Sequence, residues 1–219
     1  MAASVRAALV TGGTGRVGRA IAARLEAEGY GVVAAGSADG DLTRPAEARA
    51  LVERAADELG GLDVVVCAAS AGFAPRPVED VTEDDWDAAL DVTAKGTFFT
   101  LQAAAPWLRR SGAGLAVVIE DVASYEPWPQ FGPHCAAKAA QAMLTRVFAR
   151  ALAPEVRVCG IAPGTVAAEP GQEERRAAES LLGRVGSPDD VANAVAFLLR
   201  AEFVTGTTLV VDGGRLVKP

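Results

Sequence analysis

The sequence predicts a single doubly wound α/β domain, in which one parallel sheet of six to seven strands is flanked by helices. Short apolar runs alternate with longer helical patterns along the whole chain, the pattern of strand–helix–strand units. The first apolar run leads directly into a glycine-rich loop that opens a helix. The 219 residues, half of them apolar, suffice for one large core and are short for two. We therefore expect one domain spanning residues 1–219.

The elements can be assigned from their boundary residues. Pro45 and the pair Gly60-Gly61 bound the second helix, and Thr82 with Asp85 resembles a cap for the third. Continuous apolar strands indicate a sheet that is covered on both faces. The polar segment 167–184, bounded by Pro and Gly, is the candidate substrate flap. The predicted strands are 7–10, 31–35, 63–69, 115–119, 156–161 and 208–211, and the predicted helices are 17–28, 46–59, 83–108, 131–152, 173–182 (short) and 188–200.

Charge and composition exclude several classes of function. Twenty-one Lys and Arg residues against 28 Asp and Glu residues give a net charge of −7, so a nucleic-acid partner is not expected. The apolar runs are too short and interrupted for a transmembrane helix or a signal peptide. One histidine and three scattered cysteines offer neither a metal-ligand spacing nor a disulfide framework. We expect a cytoplasmic protein with a small-molecule substrate and no membrane partner.

The glycine loop is the first functional signal. Residues 11–18 read Thr-Gly-Gly-Thr-Gly-Arg-Val-Gly between the first strand and the first helix. Glycines permit a tight turn and a close backbone approach, and the N–H groups at the start of the helix can bind a pyrophosphate. The strand–loop–helix context predicts dinucleotide binding.

Further motifs extend this pattern over nearly the whole chain, and together with the loop they resemble the short-chain dehydrogenase/reductase family. The resemblance implies a Rossmann-type fold, a nicotinamide dinucleotide, oxidoreductase activity and a homo-oligomer, either a dimer or a tetramer. One edge of the sheet is shortened, because only residues 36–40 separate the second strand from Asp41. The motifs are Asp41-Leu42-Thr43, Trp86-Asp87, Lys95-Gly96, Ala162-Pro163-Gly164, Ser187-Pro188-Asp189-Asp190-Val191-Ala192, Thr205-Gly206 and Val211-Asp212-Gly213-Gly214.

The same resemblance implies a set of cofactor-binding positions. A guanidinium at Arg16 can pair with a cofactor phosphate, although Arg16 can also be a solvated residue of the first helical turn. Gly36-Ser37 at the end of the second strand offers no acid for the ribose hydroxyls. We therefore predict NADP(H) rather than NAD(H). The implied cofactor positions are Gly12, Thr14, Gly15, Arg16, Val17, Gly18, Ser37, Asp41, Leu42, Ala68, Ala69, Lys138, Pro163, Gly164 and Val166.

The catalytic positions depart from the family pattern. Of the usual Asn, Ser, Tyr and Lys, the sequence places Thr93, Asp121, His134 and Lys138 at the matching positions. His134 and Lys138 are separated by four residues and share one helix face, and an imidazole can exchange protons near neutral pH. We expect Thr93 to hold a water that connects Lys138 to solvent. An inactive site, in which His134 only fills the space of the tyrosine, is the alternative.

The nature of the altered residues indicates the reaction. Asp121 at the serine position and Arg16 in the loop resemble the pteridine reductase branch of the family, which reduces C=N bonds. The sequence therefore predicts an NAD(P)H-dependent reductase acting on a small C=N or C=O substrate. Trp128 either lines the substrate pocket or packs within its own loop. A non-redox cyclase, isomerase or lyase on the same fold, and a catalytically silent binding protein, remain as alternatives.

Overall fold

The computed structural model describes residues 5–218 and contains one six-stranded sheet. All neighbouring strands are parallel, in the order β2-β1-β3-β4-β5-β6, which confirms the predicted class. The strands are β1 (Arg6–Thr11), β2 (Tyr30–Ala35), β3 (Val64–Cys67), β4 (Gly114–Ile119), β5 (Val156–Pro163) and β6 (Thr208–Val211). The helices are α1 (Arg16–Ala27), α2 (Pro45–Leu59), α3 (Glu83–Leu90), α4 (Gly96–Arg110), α5 (Gly132–Leu152), α6 (Glu173–Ala177) and α7 (Pro188–Arg200).

Two apolar cores form because helices cover both faces of the sheet. On one face, Ile21 and Leu25 of α1 and Val195 of α7 are fully buried against the strands. On the other face, α2, α4 and α5 contribute a second cluster that includes Leu101 and Phe148. Successive strand residues face opposite sides, so apolar residues are required at consecutive positions.

The predicted helix 83–108 is interrupted in the structure. Thr82 and Asp85 form the expected reciprocal cap of α3, but a π-helical turn, Asp91–Lys95, separates α3 from α4. A π-turn accommodates an extra residue within an otherwise helical segment and often occurs at functional sites. Thr93 lies in this turn and is buried.

Several other boundaries differ from the prediction by one or more residues, and two of these differences bear on the site. The third strand ends at Cys67 rather than at residue 69, because the chain leaves the sheet after the Ala68 amide donates to Thr11 O. The helix of the flap covers only Glu173–Ala177, and the following residues turn at Gly183, whose φ is +65°. The flap is therefore mostly irregular chain.

The parallel strands place every strand's carboxyl end at one edge of the sheet. The loops after β1, β3, β4 and β5 therefore meet there, where doubly wound folds bind ligands. Among the helices of residues 5–218, none combines the length and apolarity that a membrane crossing requires.

Candidate active site

The loop between β1 and α1 is a cradle of closely packed backbone. A Cβ added at Gly12 would lie 2.6 Å from Ala69 N, and one at Gly18 would lie 2.1 Å from Gly12 O. The N-cap of α1 is Gly15, which has no side chain to bond the first N–H groups. Thr14, Arg16 and Val17 lie in the same turn or at the start of α1. The tight loop and the uncapped helix start fit the pyrophosphate of a dinucleotide.

The end of β2 contains an acid that the sequence reading missed. Two residues beyond Ser37, the chain turns so that Asp39 Oδ2 accepts a hydrogen bond of 2.8 Å from Gly36 N. This turn brings a carboxylate back to the strand end, where family members that use NAD(H) carry an acid for the ribose hydroxyls. Next in the chain, Asp41 caps its own turn by accepting from the Thr43 amide and hydroxyl, and Leu42 packs against Gly96.

The ends of β3 and β5 form the opposite side of the cleft. Ala68 and Ala69 lie directly against Gly12 of the cradle. Pro163 is the last residue of β5, and Gly164 N then donates to Val211 O. Val166 forms a bridge with Gly186, so the chain after β5 is held as it enters the flap. All the predicted cofactor positions thus lie along the carboxyl edge of the sheet.

Asp121 and His134 approach each other at the end of β4. His134 Nε2 lies 3.5 Å from Asp121 Oδ2, while Asp121 Oδ1 accepts from Ala123 N at 2.9 Å. The imidazole is only 5% exposed, and its Nε2 makes no hydrogen bond to any residue of the range 5–218. The carboxylate of Asp121 is 22% exposed. The pair therefore has an inner member, His134, and an outer member, Asp121.

Aromatic rings enclose the imidazole. The Phe73 ring stacks on it with centroids 4.0 Å apart, and the Trp128 ring is nearly parallel to it at 6.1 Å. Phe131 in turn packs edge-on against Phe73 and Trp128. This shielding explains why His134 is buried although it lies in the first turn of α5.

Lys138 lies one turn further along α5 and is also buried. Its Nζ donates to Ile119 O at 3.0 Å and to Gln141 Oε1 at 2.9 Å. Burial lowers the pKa of the Lys138 ammonium to about 8, and the carboxylates of Asp121 and Glu120 oppose this effect. The third N–H of the ammonium has no acceptor among the described residues, so it is available to a ligand.

Thr93 does not reach Lys138 with its hydroxyl. Its Oγ1 lies 3.3 Å from Ser70 Oγ and 3.4 Å from Ala71 N. The connection to the lysine is made instead by the Thr93 carbonyl, which accepts from Gln141 Nε2 at 3.1 Å. The Gln141 side-chain amide thus links the two residues, and the water expected to connect Lys138 to solvent stays a prediction.

Glu120 is a second buried acid beside the site. Thr145 and Thr208 donate hydroxyl hydrogen bonds of 2.7 and 2.9 Å to its two carboxylate oxygens. Burial nevertheless raises the pKa of Glu120. A Cβ at position 160 would lie 2.0 Å from Glu120 Oε1, so Gly160 leaves room for this carboxylate. Glu120 joins β4, β6 and α5 beneath the reactive residues.

A cavity of about 1160 Å³ opens in front of Asp121. Phe73 and Trp128 form part of one wall, which places Trp128 on the candidate substrate cavity. Arg16 and the flap residue Glu169 face each other across it at 3.6 Å. The residues that line the cavity include Asp121 but not His134, so the outer carboxylate is the member of the pair that a bound substrate would meet.

Arg215 fastens the flap to the rest of the site. Its guanidinium, 14% exposed, lies 2.8 Å from Glu126 and 2.5 Å from Glu179 of the flap, and it also donates to Thr165. The same group lies over the Trp128 ring. The flap is thus held by a partly buried ion-pair network.

Part of the site that was not predicted, Gln141 and Thr145, has a signal in the sequence. His134, Lys138, Gln141 and Thr145 follow one another at spacings of four, three and four residues, and all four are buried. A polar stripe on the inner face of a helix is recognisable from this period. The contributions of Phe73, Glu120, Asp39 and Arg215 depend on contacts between distant segments and have no such local signal.

Comparisons with known proteins agree with this architecture. Residues 27–215 match the family model described as Enoyl-(Acyl carrier protein) reductase. The chain is 34% identical over 243 residues to 4-formylbenzenesulfonate dehydrogenase of Comamonas testosteroni, covering 95% of this chain and 96% of that protein. It is 32% identical over an alignment of 243 residues to dehydrogenase/reductase SDR family member 4 of Bos taurus, and the alignment covers 96% of this chain and 87% of that protein. The structure of Thermoplasma acidophilum aldohexose dehydrogenase superposes with a TM-score of 0.90 at 26% identity, covering 98% of this chain and 95% of that one.

The fold and the cleft define an oxidoreductase of the nicotinamide-dependent, doubly wound class. The chain belongs to the short-chain dehydrogenase/reductase family, whose members use nicotinamide cofactors.

Proposed function

We propose that the protein is an NADP(H)-dependent reductase of a small C=N or C=O substrate, similar to the pteridine reductase branch of its family. The observation that carries this proposal is the position of Asp121. Its carboxyl group lies between the buried His134 and the cavity, 3.5 Å from the imidazole Nε2. A carboxyl group suits protonation of a basic nitrogen, and so the aspartate supports a C=N acceptor in particular.

The reduction adds a hydride to the carbon and a proton to the nitrogen or oxygen of the double bond. A dihydronicotinamide bound along the glycine cradle would supply the hydride. Asp121, in its protonated form, donates the proton because it is the member of the pair on the cavity wall. The carboxylate that the donation leaves is 22% exposed and regains its proton from solvent, while an N–H at Nε2 of His134, 3.5 Å behind it, stabilises its negative charge.

Lys138 binds and orients the cofactor and does not transfer the proton. Two of its N–H groups are engaged by Ile119 O and Gln141 Oε1, and the third is left for the cofactor ribose. The residues assigned to the cofactor by sequence, from Gly12 to Val166, surround the same cleft, and their assignment is part of this proposal. Thr93 supports the lysine through its carbonyl.

The preference for NADP(H) depends on Arg16. Its guanidinium is 60% exposed and only loosely paired with Glu169, so it can turn to a cofactor phosphate. Asp39 is the competing group, because a carboxylate near the ribose favours the cofactor without the additional phosphate. By analogy with the family, we also propose a cytoplasmic homo-oligomer, a dimer or tetramer assembled through α4 and α5.

The experiment that tests the proposal is NADPH oxidation with a panel of imines, pterins, ketones and aldehydes. Asp121→Asn is expected to lower kcat by about 100-fold or more, the usual contribution of a positioned acid. His134→Phe keeps an aromatic ring between Phe73 and Trp128 and is expected to lower kcat by a smaller factor. The matched control is Asp57→Asn, which makes the same change on the exposed face of α2 and should leave kcat unaltered.

Three outcomes contradict the proposal. Undiminished NADPH oxidation in both Asp121→Asn and His134→Phe would remove the proton donor from the mechanism. Conversion of a substrate by protein freed of dinucleotide, followed by product mass spectrometry, would indicate a non-redox acid–base enzyme instead. Dinucleotide binding without turnover of any panel member would favour a binding protein.

A further inference from the structure

Gln141 is a fully buried side chain that forms three hydrogen bonds at the centre of the site. Its Nε2 donates to Thr93 O at 3.1 Å and to Thr97 Oγ1 at 2.8 Å, and its Oε1 accepts from Lys138 Nζ at 2.9 Å. The side chain is 0% exposed. Burying an amide is unfavourable unless its hydrogen bonds are formed, and here both ends of the amide have partners.

The partners fix the orientation of the amide. An ammonium can only donate and a carbonyl can only accept, so the amide oxygen must face Lys138 and the NH₂ group must face Thr93. The Thr97 hydroxyl donates to Thr93 O at 2.7 Å and therefore accepts from the amide. The flipped amide would place a donor against the ammonium and an acceptor against the carbonyl.

We propose that Gln141 is a positioning residue that holds the Lys138 ammonium in place and joins it to the π-turn through Thr93. The amide occupies the space between the lysine and the Thr93 carbonyl, so that no separate water is needed to connect them. A role of the Lys138 ammonium in binding a dinucleotide rests on the proposed function, but the position that Gln141 gives to the ammonium does not.

The electrostatic consequence follows from the groups around Lys138. Glu120 and Asp121 at the end of β4 and His134 on α5 are the titratable groups of this region. The Gln141 carbonyl adds a neutral acceptor that favours the charged amine in a buried setting. Removing it leaves the ammonium with less compensation for its burial, so the pKa of Lys138 should fall.

The test uses the small number of lysines. The sequence contains only Lys95, Lys138 and Lys218, so NMR of protein labelled with [¹³C,¹⁵N]lysine follows each amine separately in the dinucleotide-free protein. In Gln141→Met, which preserves the length of the side chain, the Lys138 titration is expected to shift to lower pH, while Lys95 and Lys218 do not shift. Gln102→Met, the same change at an exposed position of α4, should shift none of them.

A second variant keeps the test decisive if Gln141→Met does not fold. Gln141→Glu retains an acceptor for Lys138 and adds negative charge, so the Lys138 titration should shift to higher pH. In steady-state assays Gln141→Met should raise the KM for the dinucleotide about tenfold, as expected for a charge-assisted hydrogen bond, with a smaller effect on kcat.

A Lys138 titration that is unchanged in folded Gln141→Met, or unchanged in Gln141→Glu, would overturn the proposal. The NMR result does not depend on turnover. If the protein is inactive with every dinucleotide, the proposed reductase function is contradicted, whereas the Lys138 titration still tests the role of Gln141.

Discussion

The glycine cradle and the start of α5 lie at the same edge of the sheet, but backbone atoms form the contacts of the first and side chains those of the second. In the cradle, backbone atoms pack against backbone atoms, and a Cβ at Gly18 would come within 2.1 Å of Gly12 O. At the start of α5, side chains contact side chains, as in the pair of His134 and Asp121. Backbone contacts leave almost no choice of residue. Side chains in contact can be substituted if the new polar groups also form hydrogen bonds.

This difference agrees with the resemblance drawn from the sequence, which predicts that the loop keeps the family's glycines while the catalytic positions differ. The cradle keeps its glycines, apart from Arg16, whose side chain is 60% exposed. Around the start of α5 the resemblance predicts changes at three of the four catalytic positions, and Lys138, Gln141 and Thr145 still have hydrogen-bond partners, whereas His134 Nε2 has none among residues 5–218. Lys138 is held by Gln141 and Ile119 O, and Glu120 is held by two threonines.

The largest effect is expected in the cradle. Gly18→Ala forces a Cβ into Gly12 O, and we expect about 1–3 kcal/mol of lost stability together with about 100-fold weaker dinucleotide binding. Thermal unfolding and a fluorescence titration with NADPH measure the two effects. Gly40→Ala is the matched control, because its Cβ would make only ordinary contacts of 3.6 Å or more. Normal dinucleotide affinity in Gly18→Ala would contradict the close packing of the cradle.

The side-chain region should respond less strongly and more locally. Arg215→Met leaves Glu126 and Glu179 without their shared cation, and removal of one partner from a partly buried ion pair is destabilising. We expect faster hydrogen exchange in residues 167–184 and about a tenfold rise in the KM for the substrate, with the KM for the dinucleotide nearly constant. Arg49→Met, an exposed arginine of α2, is the control. An equal rise in both KM values would show that the effect extends beyond the flap.

The smallest effect concerns Arg16, an exposed side chain of the cradle. Arg16→Ala is expected to lower the preference for NADPH over NADH about fivefold, since an exposed arginine–phosphate pair contributes little in water. Asp39→Ala should change the preference in the opposite direction, because it removes the carboxylate at the end of β2. The ratio of kcat/KM for the two dinucleotides measures both. A preference for NADH that Arg16→Ala does not alter would contradict the role of Arg16.

Much of the fold was predictable because its signals are local. The alternation of strands and helices, the cap at Thr82 and Asp85 and the strand–loop–helix of the cradle all depend on neighbours in sequence. The π-turn at Thr93 was not predictable, since residues 83–108 have a continuous helical pattern, and the extra residue is accommodated by packing against α5.

The sequence by itself determined the class of fold, and it predicts a dinucleotide-binding loop and altered catalytic positions at Thr93, Asp121 and His134. Only the tertiary structure decided that the carboxyl group of Asp121 lies on the cavity wall while His134 is enclosed by Phe73 and Trp128. It also decided that Gln141 forms hydrogen bonds to both the Lys138 ammonium and the Thr93 carbonyl. The physical reason is that periodicity and motif spacing encode what each segment becomes, whereas burial and hydrogen-bond partners depend on segments that are distant in sequence and meet only when the chain has folded.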